Sequence, residues 1–360
     1  ASGHLANFTD PLVDCTNCKQ RWRLDRPEDP HQCPGCAKRG TFTEPRHFNL
    51  MFKTQAGPVE DAAAVAYLRP ETAQGMFINF KNVIDTTRMR PPFGIAQIGK
   101  SFRNEITPGQ FVFRTREFEQ MEMEFFVPPA EAQQWYEYWC GERYRWYLDH
   151  GMPESLLRLR PHGDDELSHY SSGTSDVEFL FPWGWDELEG IANRGDYDLT
   201  QHATHSGERL EWYDQAANER FVPYIVETSA GADRVTLTTL VDAYREEQVE
   251  GETRVVLGFH PSIAPIKAGV FPLVKKDGMP EFATRLYHNL KRQVPAFYDD
   301  SGAVGRRYRR MDEAGTPFCI TVDGQTLQDG TVTVRHRDAM NQDRVAADTL
   351  AAWIKERTGD

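Results

Sequence analysis

The sequence predicts an α+β fold: an antiparallel sheet flanked by helices, with a small cysteine-bound module before it and an α/β domain after it. Three observations predict this. Residues 93–127 alternate apolar and polar side chains about a Pro108-Gly109 turn, the pattern of paired strands. Two Cys-x2-Cys pairs lie close together near the N-terminus, at Cys15/Cys18 and Cys33/Cys36. Beyond His260-Pro261, strand and helix patterns take turns through residues 261–360, as a small α/β domain requires.

A chain of 360 residues holds two or three domains. We divide it at residues 1–50, 51–260 and 261–360. No apolar run approaches membrane-span length, and Ala1 to Phe8 lacks the basic-then-apolar pattern of a secretory leader. The expectation is a cytoplasmic protein with no membrane partner. The net charge of −13 argues against a general nucleic-acid binder. The charge is unevenly spread, however. Residues 261–360 carry 15 Lys and Arg against 13 Asp and Glu, and residues 1–260 carry 26 against 41. A polyanion therefore meets less repulsion at the C-terminal part.

The first 50 residues are rich in Cys, Pro and Asp and look loop-built. Fourteen residues separate the two cysteine pairs, close to zinc-ribbon spacing. Each pair offers two thiolates on a tight knuckle. Two knuckles close a tetrahedron with no open position, so Cys15, Cys18, Cys33 and Cys36 predict a structural Zn²⁺ site. Two pairs of reduced thiols without metal are the plainer alternative. Cys140 and Cys319 stand alone and read as buried thiols.

Next comes an alanine-rich stretch that runs into LRPETAQGMFINF, ending at Phe80. Read as a hairpin, residues 93–127 place Arg103 and Glu105 on one strand face. Arg114, Arg116, Phe118, Gln120 and Glu122 share a face of the returning strand. A charged face is ordinarily a solvated one, but an aromatic ring among cations and acids suits a nucleotide. Arginines pair with phosphate oxygens and a ring stacks on a base. Residues 131–150 have helical spacing. Residues 177–188 read as a strand pair, followed by Glu189. Glu187 and Glu189 there share one face by alternation and suit Mg²⁺. Residues 221–229 form a further strand carrying Glu227 and Ser229, and a helix from about Arg234 to Arg245 follows. Neither a P-loop nor GxGxxG is present, so side chains on strands must hold any phosphate. The tail predicts strands at 268–274, 317–322 and 331–334 and a helix at 280–294. An amphipathic last helix has Val345, Leu350, Trp353 and Ile354 on one face.

At these residues the sequence resembles the class II aminoacyl-tRNA synthetases. FRNE followed by RTREF (Arg103 to Phe118) resembles their motif 2, SAGADR (Ser229 to Arg234) their motif 3, and Pro11-Leu12-Val13 the end of their motif 1. LRPETAQG, QIGKSFRNE, REFEQMEMEFF, ELEGIANRGDYDL and VETSAG together are similar to the glycyl-tRNA synthetases. GAVGRRYRRMDEAGTPF (Gly302 to Phe318) resembles their anticodon-binding domain. Thr228 stands where that family usually has proline.

The resemblance implies a glycine–tRNA ligase. Residues 51–260 would be the catalytic domain and 261–360 the anticodon-binding domain. Its partners would be ATP with Mg²⁺, glycine, tRNA(Gly) and a second copy in a homodimer. Arg103, Glu105 and Arg234 are the implied catalytic residues. Arg103 meets the α-phosphate, Asn104 and Glu105 position ATP or the tRNA end, and Arg114 reaches the outer phosphates. Phe118 and Arg234 sandwich the adenine, while Glu187 and Leu188 lie on the Mg²⁺ side. Phe113, Thr115, Gly231 and Asp233 complete the ATP site. Glu71 and Glu122 receive the glycine ammonium, with Phe118, Gln120, Glu227, Thr228 and Ser229 around them. The contrasting reading is a catalytically inactive, synthetase-like accessory protein that binds nucleic acid. Retention of the arginines and acids speaks against it.

Overall fold

The computed structural model describes residues 1–24, 29–58, 62–163, 166–168 and 170–359. The chain divides into two compact units. Ala1–Arg145 and Ser155–Leu237 form the first, Trp146–Glu154 and Thr238–Asp360 the second.

The N-terminal residues are more ordered than a loop-built module. Strands β1 (Thr9–Asp14), β2 (Arg21–Arg23) and β3 (Arg46–Asn49) make an antiparallel sheet in the order β2-β1-β3. β2 and β3 are short and bury no residue fully, and β1 buries Leu12 and Val13 side by side, so hydrophobic alternation was too weak to announce them. Helix α1 (Ala73–Thr87) follows. It buries Ala73, Met76, Phe77 and Phe80, one stripe at helical spacing. It stops at Arg88, whose left-handed φ of 57° lets its N–H cap the Ile84 carbonyl.

The central sheet is built from β4 (Phe93–Phe102), β5 (Glu117–Val127), β6 (Leu157–Pro161), β7 (Gly173–Phe181), β8 (Gly184–Gly195) and β9 (Tyr224–Gly231). Their order is β4-β5-β9-β8-β7-β6, antiparallel throughout. Helix α2 (Ala132–Asp149) joins β5 to β6, α3 (Tyr197–Ser206) follows β8, and α4 (Ala232–Ala243) follows β9.

Strand alternation gives β5 two faces. Gln120, Glu122, Glu124 and Phe126 lie on one and are all buried. Helices α1 and α3 cover the apolar end of that face, in a cluster of Phe77, Phe80, Phe93, Phe126, Leu199 and Ile225. Burying each of these large side chains stabilises the fold by about 1.5–3 kcal/mol. The polar end is left for a ligand. On the opposite face Phe125 packs against Trp135 and Trp139 of α2, with centroids 4.9 and 5.3 Å apart.

Two corrections concern this sheet. The hairpin strands stop at Phe102 and resume at Glu117, so Arg103, Glu105, Arg114 and Arg116 belong to a connecting loop and not to strand faces. The loop turns through Gln110 and Phe111, both at left-handed φ (49° and 56°), which a strand ladder cannot accommodate. In β8 the register slips between Glu187 and Glu189. This β-bulge sends the two acids to opposite faces instead of one. Glu189 turns away from Glu187 to pair with Arg143 of α2 at 2.6 and 3.1 Å.

In the second unit, β10 (Ala268–Pro272), β11 (Ala296–Tyr298), β12 (Phe318–Val322), β13 (Thr331–His336) and β14 (Gln342–Ala346) form a mixed sheet in the order β11-β10-β12-β13-β14. The β10 pairings are parallel and the others antiparallel. Helices α5 (Met279–Leu290), α6 (Val304–Glu313) and α7 (Leu350–Thr358) accompany them. Val345 lies in β14 and not on the last helix. It still joins Leu350 and Ile354 in the core, because a strand end and the next helix meet over the same sheet.

Candidate active site

The loop between β4 and β5, the start of α4 and the first residues of β8 converge on a cavity of about 320 Å³. Arg103, Glu105, Phe113, Arg114, Thr115, Phe118, Gln120, Glu187, Ser229, Gly231, Asp233 and Arg234 line it, joined by Phe8, Asp10, Arg23 and Leu50 from the N-terminal module. The arginine at the loop's start is held by stacking and by backbone: Arg103 lies 5.2 Å over Phe118 and 5.4 Å over Phe8, and its Nε donates to the Pro70 carbonyl at 3.1 Å. Arg114 donates to Glu105 at 3.2 Å. Arg234 lies 4.2 Å over Phe113 and donates to the Glu187 carbonyl at 2.8 Å. Asp233 accepts the Glu119 N–H at 2.9 Å, which ties the start of α4 to β5.

Beside this cavity, one register row crosses the whole sheet: Gln97, Glu122, Ser229, Gly190, Asp176 and Arg160 stand opposite one another in turn. Glu122 is nearly inaccessible, at 3% exposure. It accepts the Thr72 N–H at 2.8 Å, the Ser229 hydroxyl at 3.0 Å, and donors from the Thr72 hydroxyl and the Gln120 amide. Burial first, then the charges of Glu227 and Glu71, push its carboxyl up to about 8, against the pull of the Thr72 and Ser229 donors. The next row holds Glu124 opposite Glu227.

A buried guanidinium sits among these acids. Arg194 donates to Asp198 at 2.7 and 3.0 Å and to Glu227 at 2.5 Å, and lies 3.8 Å from Glu71 and 3.9 Å over the Tyr170 ring. Burial opposes its charge, yet Glu227, Asp198 and Glu71 together hold it far above the usual arginine range. His4 approaches Glu71 at 3.3 Å. Burial raises the Glu71 carboxyl, but the His4 hydrogen bond and Arg194 outweigh it and bring it to about 2.

Three sequence-predicted residues fall outside this arrangement. Thr228 stands opposite Met123 and Ile191, so alternation turns its side chain to the α2 side of the sheet while Glu227 and Ser229 face the site. The Leu188 side chain is 1% exposed and belongs to the core at the bulge. Asn104 is anchored by its N–H to the Leu50 carbonyl at 2.8 Å and does not line the cavity. Sequence reasoning missed Arg194, Asp198, Thr72 and the N-terminal contributors His4 and Phe8. The signal for Arg194 was present: a pocket of glutamates needs a buried cation, and Arg194 precedes Asp198 by four residues.

The four paired cysteines also come together. Their ligand atoms lie within 4.8 Å of one another, with Cys15 Sγ 3.7 Å from Cys36 Sγ and Cys18 Sγ 3.6 Å from Cys33 Sγ. A tetrahedron with Zn–S bonds of about 2.3 Å has S···S edges of about 3.8 Å. The Cys18 N–H and the Thr41 hydroxyl bring the Cys15 thiol down to about 6, toward the thiolate that a metal needs.

Residues 52–244 match the model of the tRNA synthetase class II core domain (G, H, P, S and T), and residues 267–357 match that of the anticodon binding domain. The chain is 51% identical to the glycine–tRNA ligase of Caldanaerobacter subterraneus, 52% to that of Lysinibacillus sphaericus and 50% to that of Streptomyces coelicolor. Each match covers 99% of this chain and 83% of the relative. This chain belongs to the glycine–tRNA ligase family. Membership makes it a ligase built on a class II core with an anticodon-binding domain. Among the described residues, no helix is long and apolar enough to cross a membrane.

Proposed function

We propose that the chain activates glycine with ATP to glycyl-adenylate and transfers the glycyl group to the 3′ end of tRNA(Gly), with the residues above in specific roles. The observation that carries this is the adjacency of two unlike sites on one sheet face. An arginine- and aromatic-lined cavity suited to ATP adjoins a pocket of buried carboxylates suited to an ammonium group. Phe118, Phe113 and Arg234 take the adenine, Arg103 the α-phosphate and glycine carboxylate, and Arg114 the outer phosphates. Thr115, Gly231 and Asp233 shape the ATP side, with Glu105 holding Arg114. Glu71, Glu122, Glu227 and Ser229 receive glycine, and Gln120 and Arg194 hold those acids in place.

The glycine carboxylate attacks the α-phosphorus and pyrophosphate leaves; the tRNA ribose hydroxyl then takes the acyl group. No covalent enzyme intermediate is needed, since orientation and preorganised charge supply the rate. Glu187, exposed at the cavity's edge, offers the hard oxygen that Mg²⁺ prefers; when bound, the ion neutralises phosphate charge. The thiol quartet fits a structural Zn²⁺. We further propose residues 1–50 as the end of motif 1 with the zinc module, 51–260 as the catalytic domain, 261–360 as the anticodon-binding domain, a homodimer, and the cytoplasm as the compartment. The accessory-protein alternative gains no support: every arginine and acid whose loss would mark it is in place.

ATP–pyrophosphate exchange measured with each amino acid in turn tests the proposal. Exchange with glycine alone is expected. Exchange with another amino acid, or with none, overturns it.

A further inference from the structure

One buried acid has no part in the roles above. Glu124 is 0% exposed, and neither carboxylate oxygen has a hydrogen-bond partner. It lies between Glu122 and Phe126 on the site face of β5, opposite Glu227 of β9 and Ile95 of β4. A buried carboxylate without a donor is far costlier than a buried neutral acid. Glu122, two residues away, has four donors.

The charges around Glu124 show the same imbalance. Glu122 on its own strand, Glu227 on β9, Asp198 on α3 and Glu71 before α1 face Arg194 of β8. With Glu124 itself, five carboxylates stand against one guanidinium. His4 touches this group only through Glu71, Tyr170 lies over Arg194, and His202 is turned to Gln74. A cluster this acidic cannot stay fully ionised out of water.

We infer that Glu124 carries a proton before glycine arrives, and that entry of the glycine ammonium beside Glu122 releases it, so that glycine binds in exchange for a proton. Burial foremost, then Glu227, holds the Glu124 carboxyl well above the usual carboxylate range, and Glu122 adds to the effect. The charge balances: one ammonium enters, one proton leaves for solvent, and the net charge of the cluster is conserved. The ammonium also cancels much of the repulsion that kept Glu124 neutral. This rests on the assignment of the pocket to glycine.

The exchange makes glycine affinity pH-dependent. Release of one proton per glycine lowers the glycine KM with rising pH, by up to about tenfold per unit at the limit. The test measures glycine KM in ATP–pyrophosphate exchange by the full chain from pH 6 to 8, with wild type and Glu124→Gln. Calorimetry of glycine binding in phosphate and in Tris counts the proton directly, from wild type alone. Expected are a falling wild-type KM, a binding enthalpy that shifts with buffer, and a shallower KM slope in Glu124→Gln, where Glu122, itself raised to about 8, is left to titrate. A flat wild-type KM with buffer-independent enthalpy overturns the inference, as does a slope in Glu124→Gln as steep as the wild-type one. Absence of glycine binding at every pH refutes the pocket assignment, and the inference with it.

Discussion

Glu122 shows how much one side chain is asked to do. Phe118 and Glu122 lie four residues apart on one face of β5, roughly 13 Å at about 3.3 Å per residue. That is about the span from an adenine ring to an amino acid joined through the α-phosphate. A charge-assisted hydrogen bond to a desolvated ammonium contributes about 1.5–3 kcal/mol. Glu122→Gln keeps the shape and its neighbours but removes the charge. Its kcat/KM for glycine activation should fall about 10–100-fold, while ATP binding, which rests on Phe113, Phe118, Arg114 and Arg234, should hardly move. Equal losses for glycine and ATP would place the ammonium elsewhere. At this scale the sequence was legible where alternation governs, as at Phe118, Gln120 and Glu122. It was misleading at Thr228, which the motif places in the pocket but strand parity turns away. It showed Arg194 only through its spacing to Asp198, since its other partners, Glu227 and Glu71, come from distant parts of the chain.

Among the elements, the cysteine module has the most direct test. Four thiols within 4.8 Å predict about one Zn²⁺ per chain by metal analysis. Cys33→Ser removes one of the four ligands, so the bound metal should fall well below that, and residues 1–50 should become more susceptible to protease, because such sites fold with their metal. Full metal content in the variant would exclude Cys33 as a ligand. The cysteine spacing made this cluster readable, whereas β1, β2 and β3 around it were not, since β2 and β3 are short with no fully buried residue and β1 buries Leu12 and Val13 side by side. The same physics explains the loop between β4 and β5. Its charged residues keep an apparent alternation, but left-handed Gln110 and Phe111 break the strand, and backbone conformation at non-glycine positions leaves little trace in sequence. In the tail, β10 and β12 are buried along their whole length, and continuous apolar runs of that kind are easily recognised.

For the molecule as a whole, the uneven charge has a measurable outcome. The front 260 residues are strongly acidic and the last 100 nearly balanced, so tRNA must be held by local basic contacts against a repulsive background. Charging of tRNA should weaken steeply between about 50 and 200 mM salt, as released counterions dictate. Glycine-dependent pyrophosphate exchange should respond far less. Parallel salt curves for the two assays would argue against phosphate contacts as the main hold on tRNA. The order of domains was legible because their compositions differ; the inclusion of Trp146–Glu154 in the second unit was not, since a helix that continues through residue 145 gives no local sign of a change of allegiance. The bulge in β8 carries a further consequence. It acts as a frameshift in the strand: before it the odd-numbered residues look toward the nucleotide, and after it the even-numbered ones do, so Glu187 and Arg194 serve the same side despite unlike parity. Deleting the single residue Leu188 would take out the extra residue itself and leave an unbroken frame in which those two still face one side. Removing one residue from the regularly paired stretch Glu189 to Asn193 would instead set them against each other, so the place of a one-residue change in β8 decides whether the site survives it.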